Sequence, residues 1–143
     1  MNGSDFIVLA DHLVKQKLGP SGYRSAVSRA YYGCYHLARD VLKDFGWYCR
    51  DRANEHLWVQ WHFENCTIAT FVAIGKSLAN LHQSRKHADY DLDKAFAETE
   101  ANALTGVVRA ERIKSEIAAA TNGANKDVMR AEMDAYRKKL NMT

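Results

Sequence analysis

The chain has 143 residues, with one proline, eight glycines and three cysteines, and 47% of it is hydrophobic. That is the composition of one globular domain able to bury a core without disulfide or metal, which excludes disordered, fibrous and disulfide-scaffold classes. A formal net charge of +3 permits nucleic-acid binding without requiring it.

Ser4 reads as the N-cap of a first helix, with Asp5 in its first turn and Phe6, Leu9, Ala10, Leu13, Val14 and Leu18 at helical spacing. Gly19-Pro20 ends it and opens a second helix from about Ser21 to Phe45, stopped by Gly46. The inner stripe of that helix is Tyr23, Val27, Ala30, Tyr31, Cys34, Leu37, Ala38, Val41, Leu42 and Phe45. At 1.5 Å per residue it is roughly 40 Å long, the length of a central strut. Tyr31 falls on the stripe, four residues after Val27, and Tyr32 falls outside it, so Tyr31 is predicted to be the more buried.

Residues 46–66 mix Trp47, Trp58, Trp61 and Phe63 with charges at no clear period, which predicts a loop with a short helix near 54–64. A third helix covers about 67–87, with Ile68, Phe71, Val72, Ile74, Leu78 and Leu81 inward, and Asp89-Tyr90-Asp91 breaks it. A fourth covers about 94–120 and carries Phe96, Leu104, Val107, Val108, Ile113 and Ile117. After the Thr121-Asn122-Gly123 turn, a last helix at about 126–140 aligns Met129, Met133, Tyr136 and Leu140 on one side. Such a stripe needs cover, and partial use in a dimer is expected. The whole reads as all-α, a four- to five-helix antiparallel bundle forming one domain over 1–143.

No signal sequence is recognised and no apolar run is long enough to span a bilayer, so a soluble cytoplasmic protein without a membrane partner is expected. Cys34, Cys49 and Cys66 lack zinc or disulfide spacing, and the Glu-x-x-His pairs of di-iron bundles are missing, so neither a metal nor a cofactor is expected. Phosphate-loop, dinucleotide, zinc-protease and nucleophile-elbow motifs are also lacking.

Two stretches carry chemistry. In SRAYYGCYH (28–36), a strip of Ser25, Arg29, Tyr32, His36 and Asp40 runs opposite the buried stripe, with Arg29 and His36 two turns apart on one face. Gly33 between them costs about 1 kcal/mol against alanine, which implies close approach by another helix or a ligand. In SRKHADYD (84–91), Arg85 can pair with Asp89 and His87 with Asp91 at i,i+4. Histidine beside arginine suits phosphodiester chemistry, the one moving protons and the other holding phosphate charge. Read structurally, the same residues are ion pairs, a helix crossing and a helix cap. Arg85 and His87 lie about 200° apart around a helix and cannot both face one phosphate. Tyr90 is expected to turn inward beneath the Arg85–Asp89 pair, so that the motif shapes a pocket.

SRAYYGCYHLARDVL, followed some fifty residues later by LANLHQSRKHADYD and another long helix, resembles the HEPN family. The likeness is nearest to small prokaryotic members with a Ser-Arg-x-Tyr-Tyr helix and an Arg-x-x-Ala-Asp-Tyr motif, and it covers about residues 5–120. It implies a bundle of four or five helices, often a homodimer. Some members are metal-independent endoribonucleases, frequently toxins or defence effectors, with an Arg-x(4–6)-His motif from each protomer. Others bind nucleotide or RNA, often beside a separately encoded nucleotidyltransferase antitoxin. Here Arg29-x6-His36 and Arg50-x5-His56 have the nuclease spacing, whereas His87 follows Arg85 by two. The resulting expectation is an RNA- or nucleotide-binding protein of a toxin–antitoxin or defence-like module. Its binding residues would be Arg29, Tyr32, His36, Arg85, Asp89 and Tyr90, with His36 and Arg29 catalytic if it is a ribonuclease. A non-catalytic interaction domain is the remaining alternative.

Overall fold

Asn2, not Ser4, caps the first helix in the computed structural model, which describes residues 1–142. The Asn2 side chain accepts from the Ser4 N–H at 2.8 Å, and the Asp5 carboxylate accepts from the Asn2 N–H at 2.8 Å. This reciprocal cap satisfies two orphan donors at once, which a cap at Ser4 would not. The elements are α1 (Gly3–Lys15), α2 (Pro20–Asp44), α3 (Glu55–Glu64), α4 (Ala69–Tyr90), α5 (Glu100–Ala120) and α6 (Ala124–Lys139). Short 3-10 turns cover Arg52–Asn54 and Ala95–Glu98. No strand occurs among the described residues, so the all-α bundle holds, with six helices where four to five were expected. The sixth is α3, the short helix expected near 54–64, which the count of four to five left out.

α2 is the strut: it packs on α1, α4 and α5. Its crossing with α1 explains Gly33. A Cβ on Gly33 would lie 2.6 Å from Ile7 and 2.7 Å from the Gly3 carbonyl, and one on Gly3 would strike the Gly33 carbonyl. Two glycines therefore bring the backbones together, and the close neighbour is α1, not a ligand. α2 ends in a Schellman motif: Gly46, at φ 85°, donates to the Lys43 carbonyl at 2.8 Å and Trp47 to that of Leu42 at 3.0 Å.

One hydrophobic core takes residues from every α-helix, from Ile7 to Met133. Tyr31 is buried in it and Tyr32 only partly, as the stripe predicts. Several apolar assignments fail, among them Leu9, Leu18 and Ile68, which are exposed. On α5, Leu104 and Val108 are exposed, because Ala103, Gly106, Val107 and Ala110 take the inward positions and let α5 lie close to α2. Phe96 sits in the 3-10 turn, exposed, with its ring edge-on to His87 at 5.5 Å. On α6, Met129 and Met133 are covered by this chain's own bundle, not by a dimer partner. The inner line then continues to Arg137, leaving Tyr136 half-buried and Leu140 exposed. Arg137 donates to His62 Nε2 at 3.1 Å and lies over the Trp47 ring at 4.6 Å, tying α6 to α3 and the end of α2. No helix is long and apolar enough to cross a membrane among the described residues.

Candidate functional site

The α1–α2 glycine crossing sets Phe6 beside the outer strip of α2. Arg29 lies over the Phe6 ring at 5.2 Å and over the Tyr32 ring at 5.1 Å. His36 stacks on the same Phe6, centroids 5.7 Å apart, and stands 6.4 Å from Tyr32. The expected Arg29–His36 face is therefore real, and Phe6, assigned to the core from its spacing, is its floor. Arg29 makes no hydrogen bond or ion pair to another side chain among the described residues.

α4 supplies the opposite wall. Arg85 donates through Nε to Asp89 at 2.8 Å and through Nη2 to the Tyr32 hydroxyl at 2.7 Å. Its guanidinium lies 5.0 Å from the Tyr32 ring, so the Arg29 and Arg85 guanidiniums are within about 10 Å of one another. Ser28 donates to the same Asp89 oxygen at 3.0 Å, so the carboxylate joins α2 to α4. Tyr90 corrects an expectation: it is 68% exposed, not inward. α4 runs on through Tyr90, which places Ala88 inward and swings the Tyr90 phenol back to 3.3 Å from Arg85 Nη2. His87 is absent from the cluster, as the 200° separation requires, and pairs with Asp91 at 2.7 Å.

The end of α4 is held by an arginine that the sequence motifs do not single out. Arg24, 7% exposed, donates to the carbonyls of His87, Ala88, Asp91, Leu92 and Lys94 and to the Glu98 carboxylate. It takes two carbonyls of the last turn of α4 and three of the loop beyond, and so anchors the helix end that carries Arg85 and Asp89.

Two histidines from other helices complete the cluster, and neither stood among the expected site residues. His56 of α3 accepts or donates through Nδ1 to the Tyr31 hydroxyl at 2.6 Å and stacks on Tyr35 at 4.2 Å. His82 of α4 stacks on Tyr31 at 4.7 Å and on His56 at 5.2 Å. The sequence signal for them is indirect: a tyrosine buried on the core stripe needs a partner for its hydroxyl.

Electrostatics keep these rings neutral. Burial, then Arg39, pushes the His36 imidazole below the ordinary histidine value. Burial, then Arg85, does the same to His56. Burial, then His56, takes His82 down to about 4. Burial raises the Tyr31 phenol well above its ordinary range, so it keeps its proton. The site thus combines cationic guanidiniums with neutral imidazoles, which can hold phosphate charge and accept or deliver a proton.

The cluster forms a half-buried surface, and a cavity of 590 Å³ lies elsewhere, between the start of α4 and the α5–α6 turn. No group of three or more His, Cys, Asp or Glu side chains is placed to hold a metal among the described residues. Comparison with protein-family models, curated proteins and solved structures returns no match to this chain.

Proposed function

We propose that this chain is a HEPN-type helical protein that binds RNA or a nucleotide through the surface around Tyr32, within a toxin–antitoxin or defence-like module. The observation that carries the reading is Arg29: a guanidinium without an acidic partner, laid over Phe6 and Tyr32 beside neutral His36 and facing Arg85. Structural arginines are normally matched by carboxylates or carbonyls, as Arg24 is; an arginine stacked on aromatic rings with its donors free is suited to phosphate. Binding of UMP and of short RNA to the purified chain tests this. Arg29→Ala and Arg85→Ala should each weaken binding at least tenfold, and unchanged affinity in both would refute it.

A metal-independent endoribonuclease is the second reading, favoured by the neutral state of His36 beside Arg29. His36 would take the 2′-hydroxyl proton as the 2′-oxygen attacks the adjacent phosphorus. Arg29 and Arg85 would hold the phosphorane charge, and the proton taken by His36 would pass, directly or through water, to the departing 5′-oxygen, giving a 2′,3′-cyclic phosphate and a 5′-hydroxyl. Cleavage of RNA in EDTA, lost in His36→Ala, supports this reading; its absence leaves a binding protein. The exposed Val8 and Leu9 of α1 and Leu104 and Val108 of α5, on two helices in contact, support a homodimer. A separately encoded nucleotidyltransferase as partner rests on the family likeness alone.

A further inference from the structure

Segment 47–58 builds a second feature that the Tyr32 cluster does not use. Two adjoining cavities of 340 and 200 Å³ share Tyr48, Cys49 and Trp58 as walls and are taken together as one groove. Tyr48 is 69% exposed and stacks on no ring among the described residues. Trp58 rests one face region against His62, centroids 4.4 Å apart, and remains partly open. The Schellman turn at Gly46 and the Arg137–Trp47 stack hold the segment's start, so the aromatic walls are set by the fold.

The charge of the groove is mainly positive. Arg50, Arg52 and Lys43 line it, and none pairs with a carboxylate among the described residues. Its two acids are engaged internally. Asp51 accepts from the Ala53 N–H at 3.2 Å and the Asn54 amide at 2.6 Å, capping the 3-10 turn, while Glu55 pairs with Arg39. Aromatic faces along a groove of unpaired cations are the recognition chemistry of single-stranded nucleic acid, in which bases stack and phosphates track the positive charge. Residues lining the groove are sequence neighbours of the first site: Glu55 precedes His56 on α3, and Arg39 stands three residues from His36 on α2.

We propose that the Tyr48–Trp58 groove is a subsite that stacks an unpaired base of single-stranded RNA, with Arg50, Arg52 and Lys43 taking its phosphates. This rests on the RNA reading of the Tyr32 surface and extends it to a strand longer than one nucleotide. An acidic peptide would meet the same cations but would gain nothing from the aromatic walls.

The test uses the full chain with a fluorescein-labelled octauridylate and with UMP, which is assigned above to the Tyr32 surface and is too short to span both. Tyr48→Ala, a change at an exposed side chain, should weaken octamer binding roughly 5- to 100-fold and leave UMP affinity unchanged. Arg50→Ala should reduce the slope of log affinity against log salt by about 0.7, one phosphate contact's share. If Arg29→Ala weakens the octamer and Tyr48→Ala does not, the groove is overturned and the Tyr32 reading stands. If Tyr48→Ala weakens it and Arg29→Ala does not, the groove stands and the Tyr32 reading falls. Octaglutamate bound as tightly as the octamer overturns the groove as a base site, and a chain that binds neither RNA nor UMP overturns both.

Discussion

Arg24 and Arg29 stand five residues apart on α2, yet the chain uses them in opposite ways. Arg24 is sealed at the end of α4, with five backbone carbonyls and Glu98 around its guanidinium. Arg29 lies half-open on two aromatic rings, with its hydrogen-bond donors unclaimed by this chain. The difference shows why residue type and helical spacing do not identify a site. A buried arginine already satisfied by carbonyls fixes geometry, and an arginine stacked with free donors awaits an anion. The two are coupled, because the α4 end that Arg24 anchors carries Arg85 and Asp89 to Tyr32.

The sharpest break of this contrast is on stability. Arg24→Ala should cost roughly 3 kcal/mol or more, since it strands several buried carbonyls, and denaturant unfolding will read the loss. Arg24→Lys should recover little of it, because an ammonium cannot span that set of carbonyls.

Acid should act on the other region. His82, stacked on Tyr31 and His56, titrates near 4 in the folded chain against 6.5 unfolded. The unfolded state therefore binds more protons between those values, so stability falls as pH drops from about 6.5 to 4 and levels below. Solvent screening keeps the loss from this half-buried ring below about 3 kcal/mol, and fully buried His62, also near 4, should contribute the larger share. Denaturant midpoints measured from pH 7.5 to 4 check the sign, and flat stability across that window would contradict the buried neutral rings.

Arg29→Ala comes next in size for folding, with a change of about 1 kcal/mol, the worth of its contacts to two partly open rings. Its effect belongs to binding, where a tenfold or greater loss is expected. His87→Ala should be nearly silent in both, within about 0.5 kcal/mol, because its partner Asp91 is partly exposed. Loss of RNA cleavage in that variant would instead make His87 a catalytic group and undo the site as drawn.

Much of the bundle was legible from periodicity. α2 begins at Pro20 and ends before Gly46 because both residues act locally, and the short helix in 54–64 is there. So were the Arg29–His36 face and the Arg85–Asp89 pair, which depend only on helical spacing. What spacing could not convey is convergence between helices. His56 and His82 reach Tyr31 from α3 and α4, Arg24 reaches across more than sixty residues to the α4 carbonyls, and Phe6 becomes a floor only once Gly3 meets Gly33. Leu104 and Val108 misled for a related reason: small residues on α5 allow close packing, so the larger apolar ones are left outside.

The most direct measurement follows the arginine side-chain Nε–H resonances of the intact chain by ¹⁵N NMR while octauridylate is added. The account predicts that the Arg29 and Arg85 signals shift in step with binding while Arg24, enclosed by its carbonyls, stays in place. Saturating RNA that leaves Arg29 and Arg85 unmoved would contradict it.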